Sequence, residues 1–165
     1  MRDTSTVLAL FRSAYAIMLA VLSCCFTTPV AAQTYPRMLP LDNYMMDRAD
    51  EIALARSAAP QSIAKDATVL VLTRKGYETA VTGTNGFVCY VARGFASAPD
   101  WAERWNPKIR AAGCDNPQAA RTMTALARLR TDLTVAGRDD KAIWDRVKTA
   151  LRTREISQLG TGAMC

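Results

Sequence analysis

Residues 67–93 read ATVLVLTRKGYETAVTGTNGFVCYVAR, and three β-rich runs punctuated by turn residues stand out in them. Thr68 to Thr73, Tyr77 to Thr82 and Phe87 to Arg93 are dominated by β-branched and aromatic side chains, which suit a pleated, half-buried surface. Lys75-Gly76 and Asn85-Gly86 separate them. Asn-Gly is the favoured two-residue hairpin turn because both of its central residues need positive φ. Two such turns predict a three-stranded antiparallel meander. If Asn85-Gly86 is a tight loop, Val81 lies opposite Tyr90, Ala80 opposite Val91 and Thr82 opposite Cys89. If Lys75-Gly76 is the other, Leu70 joins Val81, Val69 joins Thr82 and Val71 joins Ala80. One face then carries Leu70, Leu72, Val81, Val88 and Tyr90, the other Val69, Val71, Ala80, Phe87, Cys89 and Val91. Both faces are apolar, so both call for cover; strands with an uncovered apolar face are not stable alone.

The flanking sequence offers that cover. Asp47 to Ser57 reads as a short helix with Met46, Ala49, Ile52 and Ala53 on its apolar side and Arg48, Glu51 and Arg56 facing water; Pro60 ends it. After a connecting region from Gly94 to Cys114, Asn116-Pro117 opens a second helix, with asparagine as cap and proline at the first position. Met123, Leu126, Leu129 and Leu133 form its stripe, and Gly137 is placed to end it. Asp139 or Asp140 caps a third, striped by Ile143, Trp144, Val147, Ala150 and Leu151. The expected fold is α+β: one N-terminal helix, the meander, and a C-terminal helical hairpin packed on the sheet.

Upstream, residues 1–32 read as a cleavable secretory signal. Arg2 and Arg12 precede an apolar run of about 13 residues from Ala14 to Phe26, and Val30-Ala31-Ala32 supplies small residues before a cut between Ala32 and Gln33. The run falls short of the roughly 20 residues that cross a bilayer, and no later stretch is long enough. A lipoprotein is the alternative, since Leu22 stands three residues before Cys25. Gln33 to Met46, with Pro36 and Pro40, reads as an extended arm, and residues 47–165 as a single α+β domain. Arg2, Arg12 and Asp3 leave with the signal, so 21 basic and 15 acidic residues become 19 and 14, a mild positive excess. Such a charge favours acidic surfaces without choosing among lipid headgroups, cell-wall polyanions and nucleic acid. Export argues against genomic DNA, and the basic residues form no run; Arg121, Arg128 and Arg130 read as one solvated helix face.

Export permits disulfides. Cys89, Cys114 and Cys165 remain after cleavage, enough for one bridge and one orphan, with Cys89–Cys114 the first choice and unbridged thiols the alternative. The chain has no histidine, which removes histidine-dependent triads and dyads and the usual zinc and copper ligand sets. No Cys-x-x-Cys spacing occurs. Asp47, Asp50 and Glu51, and Asp139 with Asp140, occupy first helical turns, where capping and the helix dipole explain them better than acid–base or metal chemistry. No cofactor is implied. Trp101 and Trp105, with Arg104 and Lys108 nearby, could line a ligand groove; their four-residue spacing equally suits one buried helical face.

Ala67-Thr-Val-Leu-Val-Leu, Gly83-Thr-Asn-Gly-Phe-Val-Cys, Trp105-Asn-Pro-Lys, Ala136-Gly-Arg and Gly162-Ala-Met, taken together, resemble a family of uncharacterised exported bacterial proteins over roughly Asp47 to Met164. The resemblance implies no activity and carries over no catalytic residue. It implies that longer members continue past Gly-Ala-Met into a methionine-, aromatic- and histidine-containing end, so that this chain is a C-terminally truncated or divergent member. The expected function is a non-catalytic envelope or secreted module, periplasmic or extracellular, that binds a small ligand or an envelope component. The alternatives are an envelope enzyme, or its remnant, using carboxylates or a site in a missing C-terminal segment, and a basic surface that associates with polyanions.

Overall fold

A computed structural model of the chain describes residues 35–98 and 100–165. The expected signal, with Cys25 and the Ala32–Gln33 junction, lies outside the described residues. The fold is α+β. Asp47 caps α1 (Arg48–Arg56), its carboxylate accepting from the backbone N–H groups of Ala49 and Asp50. One turn of helix, α2 (Gln61–Ala64), follows Pro60 and leads into β1 (Thr68–Thr73). The strands β2 (Gly76–Val81), β3 (Val88–Arg93) and β4 (Arg110–Asp115) complete one sheet in the order β2-β1-β3-β4. The expected meander is therefore corrected in two respects. A fourth strand is present, and β3 runs parallel to β1 on its far side instead of pairing with β2.

The crossing loop explains the difference. Six residues separate β2 from β3, and they pass across the start of β1: Thr84 and Asn85 both donate backbone N–H groups to Asp66 O, and Thr68 N donates to Phe87 O at 2.9 Å. A Cβ on Gly83 would stand 2.2 Å from Thr68 N and 2.3 Å from the Ala67 carbonyl carbon, so only glycine permits this approach. Gly86 adopts positive φ (78°) but Asn85 does not, so the two-residue hairpin turn that needs both is not formed. Asn85, however, uses its side chain to hold the loop, accepting from Phe87 N at 3.0 Å and donating to Ile63 O at 2.8 Å. The pairings expected across Asn85-Gly86 (Val81 with Tyr90, Ala80 with Val91, Thr82 with Cys89) do not form, because β1 lies between the two strands. The β1–β2 hairpin does form, one residue out of the expected register at Val69 and two residues out beyond it. Val69 pairs with Val81 and, beyond an irregularity, Leu70 pairs with Thr79. That slip moves Val81 to the Val69 face of the sheet, where it packs with Cys89, Val91 and Phe87.

Strands β1 and β3 pair only at Thr68–Val88 and Val69–Cys89. Farther along, buried polar side chains occupy the place of the ladder. Glu51 of α1, read from sequence as facing water, is 1% exposed; its carboxylate accepts from Leu72 N at 3.1 Å and pairs with the Arg93 guanidinium at 2.8 Å. Arg93 also donates to Val91 O and to Tyr44 O. The Tyr77 hydroxyl donates to Val91 O at 2.7 Å. Backbone groups that two neighbouring strands would satisfy mutually are satisfied here by a buried ion pair and a phenol, as burial demands.

Both sheet faces are covered, as their apolar character requires. Ala55, Ile52 and Leu54 of α1 pack on Val69, Cys89 and Val91. On the opposite face Leu70, Leu72, Tyr77 and Tyr90 meet Tyr44, Phe95 and Ala127. Tyr44 comes from the segment expected to be an extended arm; a single 3-10 turn (Leu41–Tyr44) seats its ring edge-on against Phe95, and its hydroxyl donates to Trp105 O at 2.7 Å. Asn116 caps the helical run that follows β4, accepting from Ala119 N at 2.9 Å. That run comprises α3 (Pro117–Ala119), a π turn (Ala120–Thr124) and α4 (Ala125–Val135), and α5 (Asp140–Arg152) packs against it. Ile143, Val147 and Ala150 of α5 are buried as expected. The preceding run is rotated from its expected orientation: Thr122, Thr124, Thr131 and Thr134 are buried, whereas Met123 is 39% exposed. A π turn inserts an extra residue into the helical repeat and turns the downstream face. No helix among the described residues is long and apolar enough to cross a membrane.

Candidate ligand cleft

Cys89 and Cys114 stand directly opposite each other on β3 and β4, with their sulfurs at disulfide distance and the pair buried under α1. Neither opens onto a cleft described here. Trp101 and Trp105 do not share a helical face, because residues 100–105 form successive turns. Trp105 packs against the core while the Arg104 guanidinium lies over its ring, 4.6 Å from the centroid; Trp101 is 41% exposed.

A solvent-open cleft of about 230 Å³ lies elsewhere, where the end of β3 meets the helical run. Tyr90 and Ala92 alternate onto this face of the strand, Arg93 reaches its edge with Nη2 unpartnered although its charge is paired with Glu51, Ala96 and Ser97 follow from the 3-10 turn at Gly94–Ala96, and Met123, Leu126, Ala127 and Arg130 descend from the helical run. The turn is held down by close packing: a Cβ on Gly94 would stand 2.7 Å from Arg104 O. Arg130 Nη1 donates to Ala96 O at 3.3 Å, tying helix to turn across the cleft. Its guanidinium lies 5.9 Å from the centroid of the Trp144 ring on α5, at the outer limit of a cation–π contact. Its Nε is buried without a hydrogen-bond partner, and desolvation pulls its pKa below the usual value for arginine. Arg130 was read from sequence as part of a solvated face; the rotated helix turns it inward instead.

The other polar groups near the cleft are committed. The Tyr90 hydroxyl and the Thr124 hydroxyl both donate to Asp115 Oδ2, at 3.3 and 2.7 Å. Burial, and then the neighbouring Asp115 carboxylate, push the Tyr90 phenol well above its ordinary pKa, so it is a neutral donor at any physiological pH. Burial and Asp115 likewise push the Cys165 thiol up, away from the thiolate that nucleophilic chemistry requires. Arg104 is held by Asp140 at 3.0 Å. Among the described residues no group of three or more histidine, cysteine, aspartate or glutamate side chains could hold a metal ion. The cleft thus offers apolar walls and two arginines, Arg93 with its charge paired to Glu51 and Arg130 with no carboxylate partner among the described residues, which suits binding more than proton transfer. No family model, no curated protein and no solved structure matches the chain.

Proposed function

We propose that the mature domain is a non-catalytic exported binding module that holds a small ligand in the cleft between β3 and α4. The observation that carries this reading is the cleft itself: concave, more apolar than polar, and lined by two arginines, of which Arg130 alone has no carboxylate partner among the described residues, a small version of the apolar pocket with a few convergent polar groups that holds small molecules. The reading keeps the family resemblance as its frame, with the signal cut before Gln33, the product in the periplasm or outside the cell, and Cys89 bridged to Cys114 by that oxidising compartment.

The test is native mass spectrometry of protein purified from the exported fraction. The reading expects a chain beginning at Gln33, lighter by two hydrogens than its reduced form, with a co-purifying small molecule that Ala127→Trp displaces by filling the cleft. A ligand retained unchanged by folded Ala127→Trp protein overturns the assignment of the site. Protein found in the cytosol with its initiator methionine overturns the assignment of compartment.

A further inference from the structure

We propose that the cleft takes a small amphiphilic carboxylate, its acid group gripped by Arg130 and its hydrocarbon lying against Ala92, Ala96 and Ala127; the inference rests on the cleft being the binding site. Among the described residues no carboxylate pairs with Arg130, although Arg104 and Arg93 each have one. Nη1 is engaged by Ala96 O, and Nε has no partner. Nε and Nη2 form the edge of the guanidinium fork to which a carboxylate docks with two parallel hydrogen bonds. A neutral ligand would leave that edge without a charged acceptor, and a cation would be repelled.

The walls complete the specification. Tyr90 is bound to Asp115 and Ser97 is the one other side-chain hydroxyl lining the cleft, so the body of the ligand meets methyl and methylene groups. The ligand is therefore apolar beyond its acid group. A cleft of about 230 Å³ is smaller than the roughly 300–1,000 Å³ of drug-sized sites, so the ligand is short. A six-carbon fatty acid has that size. A phosphate monoester carries up to two charges, and of the two arginines lining the cleft Arg93 is already neutralised by Glu51, which leaves one cation free to match a singly charged acid.

The test compares hexanoate with hexanol, its neutral counterpart, by calorimetry or by the fluorescence of Trp144, on the full mature domain. Hexanoate is expected to bind at least tenfold more tightly than hexanol, the worth of a charge-assisted hydrogen bond. Arg130→Met is expected to abolish that preference, the two probes then binding within twofold of each other. Ser97→Glu provides an independent variant, because it sets a carboxylate one residue from the carbonyl that Arg130 already contacts; it too is expected to weaken hexanoate at least tenfold. Equal affinity for the two probes, or a preference that survives in both folded variants, overturns the carboxylate assignment and leaves the cleft reading standing. Failure of both probes to bind, at concentrations into the millimolar range, overturns the carboxylate assignment too; the cleft reading is then judged by the co-purified ligand and Ala127→Trp.

Discussion

Replacing Glu51 by alanine removes one half of the polar wedge between β1 and β3. The carboxylate and the Arg93 guanidinium are 1% and 0% exposed and 2.8 Å apart, so the substitution strands a fully buried cation beside an unsatisfied Leu72 N–H. Breaking a buried pair from one side costs about 3–5 kcal/mol, because the remaining charge keeps its desolvation penalty and loses its compensation. A domain of this size holds about 5–15 kcal/mol in total, so the loss consumes a large share. With an m-value of about 1.5 kcal/mol/M, the urea midpoint should fall by about 2–3 M. Glu51→Gln keeps an acceptor for Leu72 N and should lose less. Glu51→Leu combined with Arg93→Met, which removes both charges, should recover part of the loss. Equilibrium urea unfolding monitored by circular dichroism measures all three. A cost for Glu51→Ala of about 1 kcal/mol or less, the value typical of an exposed pair, would refute the wedge as described.

Three further outcomes follow from the same geometry. Cys89→Ser with Cys114→Ser, or reduction of the parent, should cost about 3 kcal/mol in the chain-entropy model for a 25-residue separation, read as a lower thermal midpoint. Gly83→Ala should destabilise by about 1–3 kcal/mol through its approach to the Ala67–Thr68 backbone, whereas Gly160→Ala, with nothing within 4 Å, should be near neutral on the same melting assay. Lys141 and Lys148 hold the Asp145 carboxyl down to about 2, Lys141 contributing most. A depressed folded-state pKa gives support that is present above the unfolded value near 4 and lost as pH falls toward 2. Carbon-detected NMR titration should therefore place the Asp145 midpoint near 2, and a midpoint near 4 would remove the pair.

Much of the fold was legible because local chemistry and tertiary structure agree there. Asp47, Asn116 and Asp139 cap the helices they were expected to cap, and Ile143, Val147 and Ala150 face inward. The existence of β1, β2 and β3 was visible in their composition. Their order was not, since Asn-Gly suits a two-residue hairpin turn and equally a longer loop in which Gly86 alone takes positive φ; the closeness of Gly83 to Ala67, which decides between them, is a long-range contact. Strand β4, Arg-Ala-Ala-Gly-Cys-Asp, carries no β signal and exists through its pairing with β3. Glu51 was read as solvated because charge on a helix usually is, and only the gap between β1 and β3 makes its burial worthwhile. Arg130 escaped for a related reason: a π turn has no sequence signature, and it alone turns the apolar stripe sideways and the guanidinium into the cleft.

Entry of ligand between β3 and α4 is checked by backbone amide NMR of residues 33–165 during a hexanoate titration. Saturable shifts should centre on Ala92, Ala96, Ser97, Ala127 and Arg130. Shifts centred instead on α1, on Trp101, or spread evenly over the basic surface and collapsing with salt would contradict it.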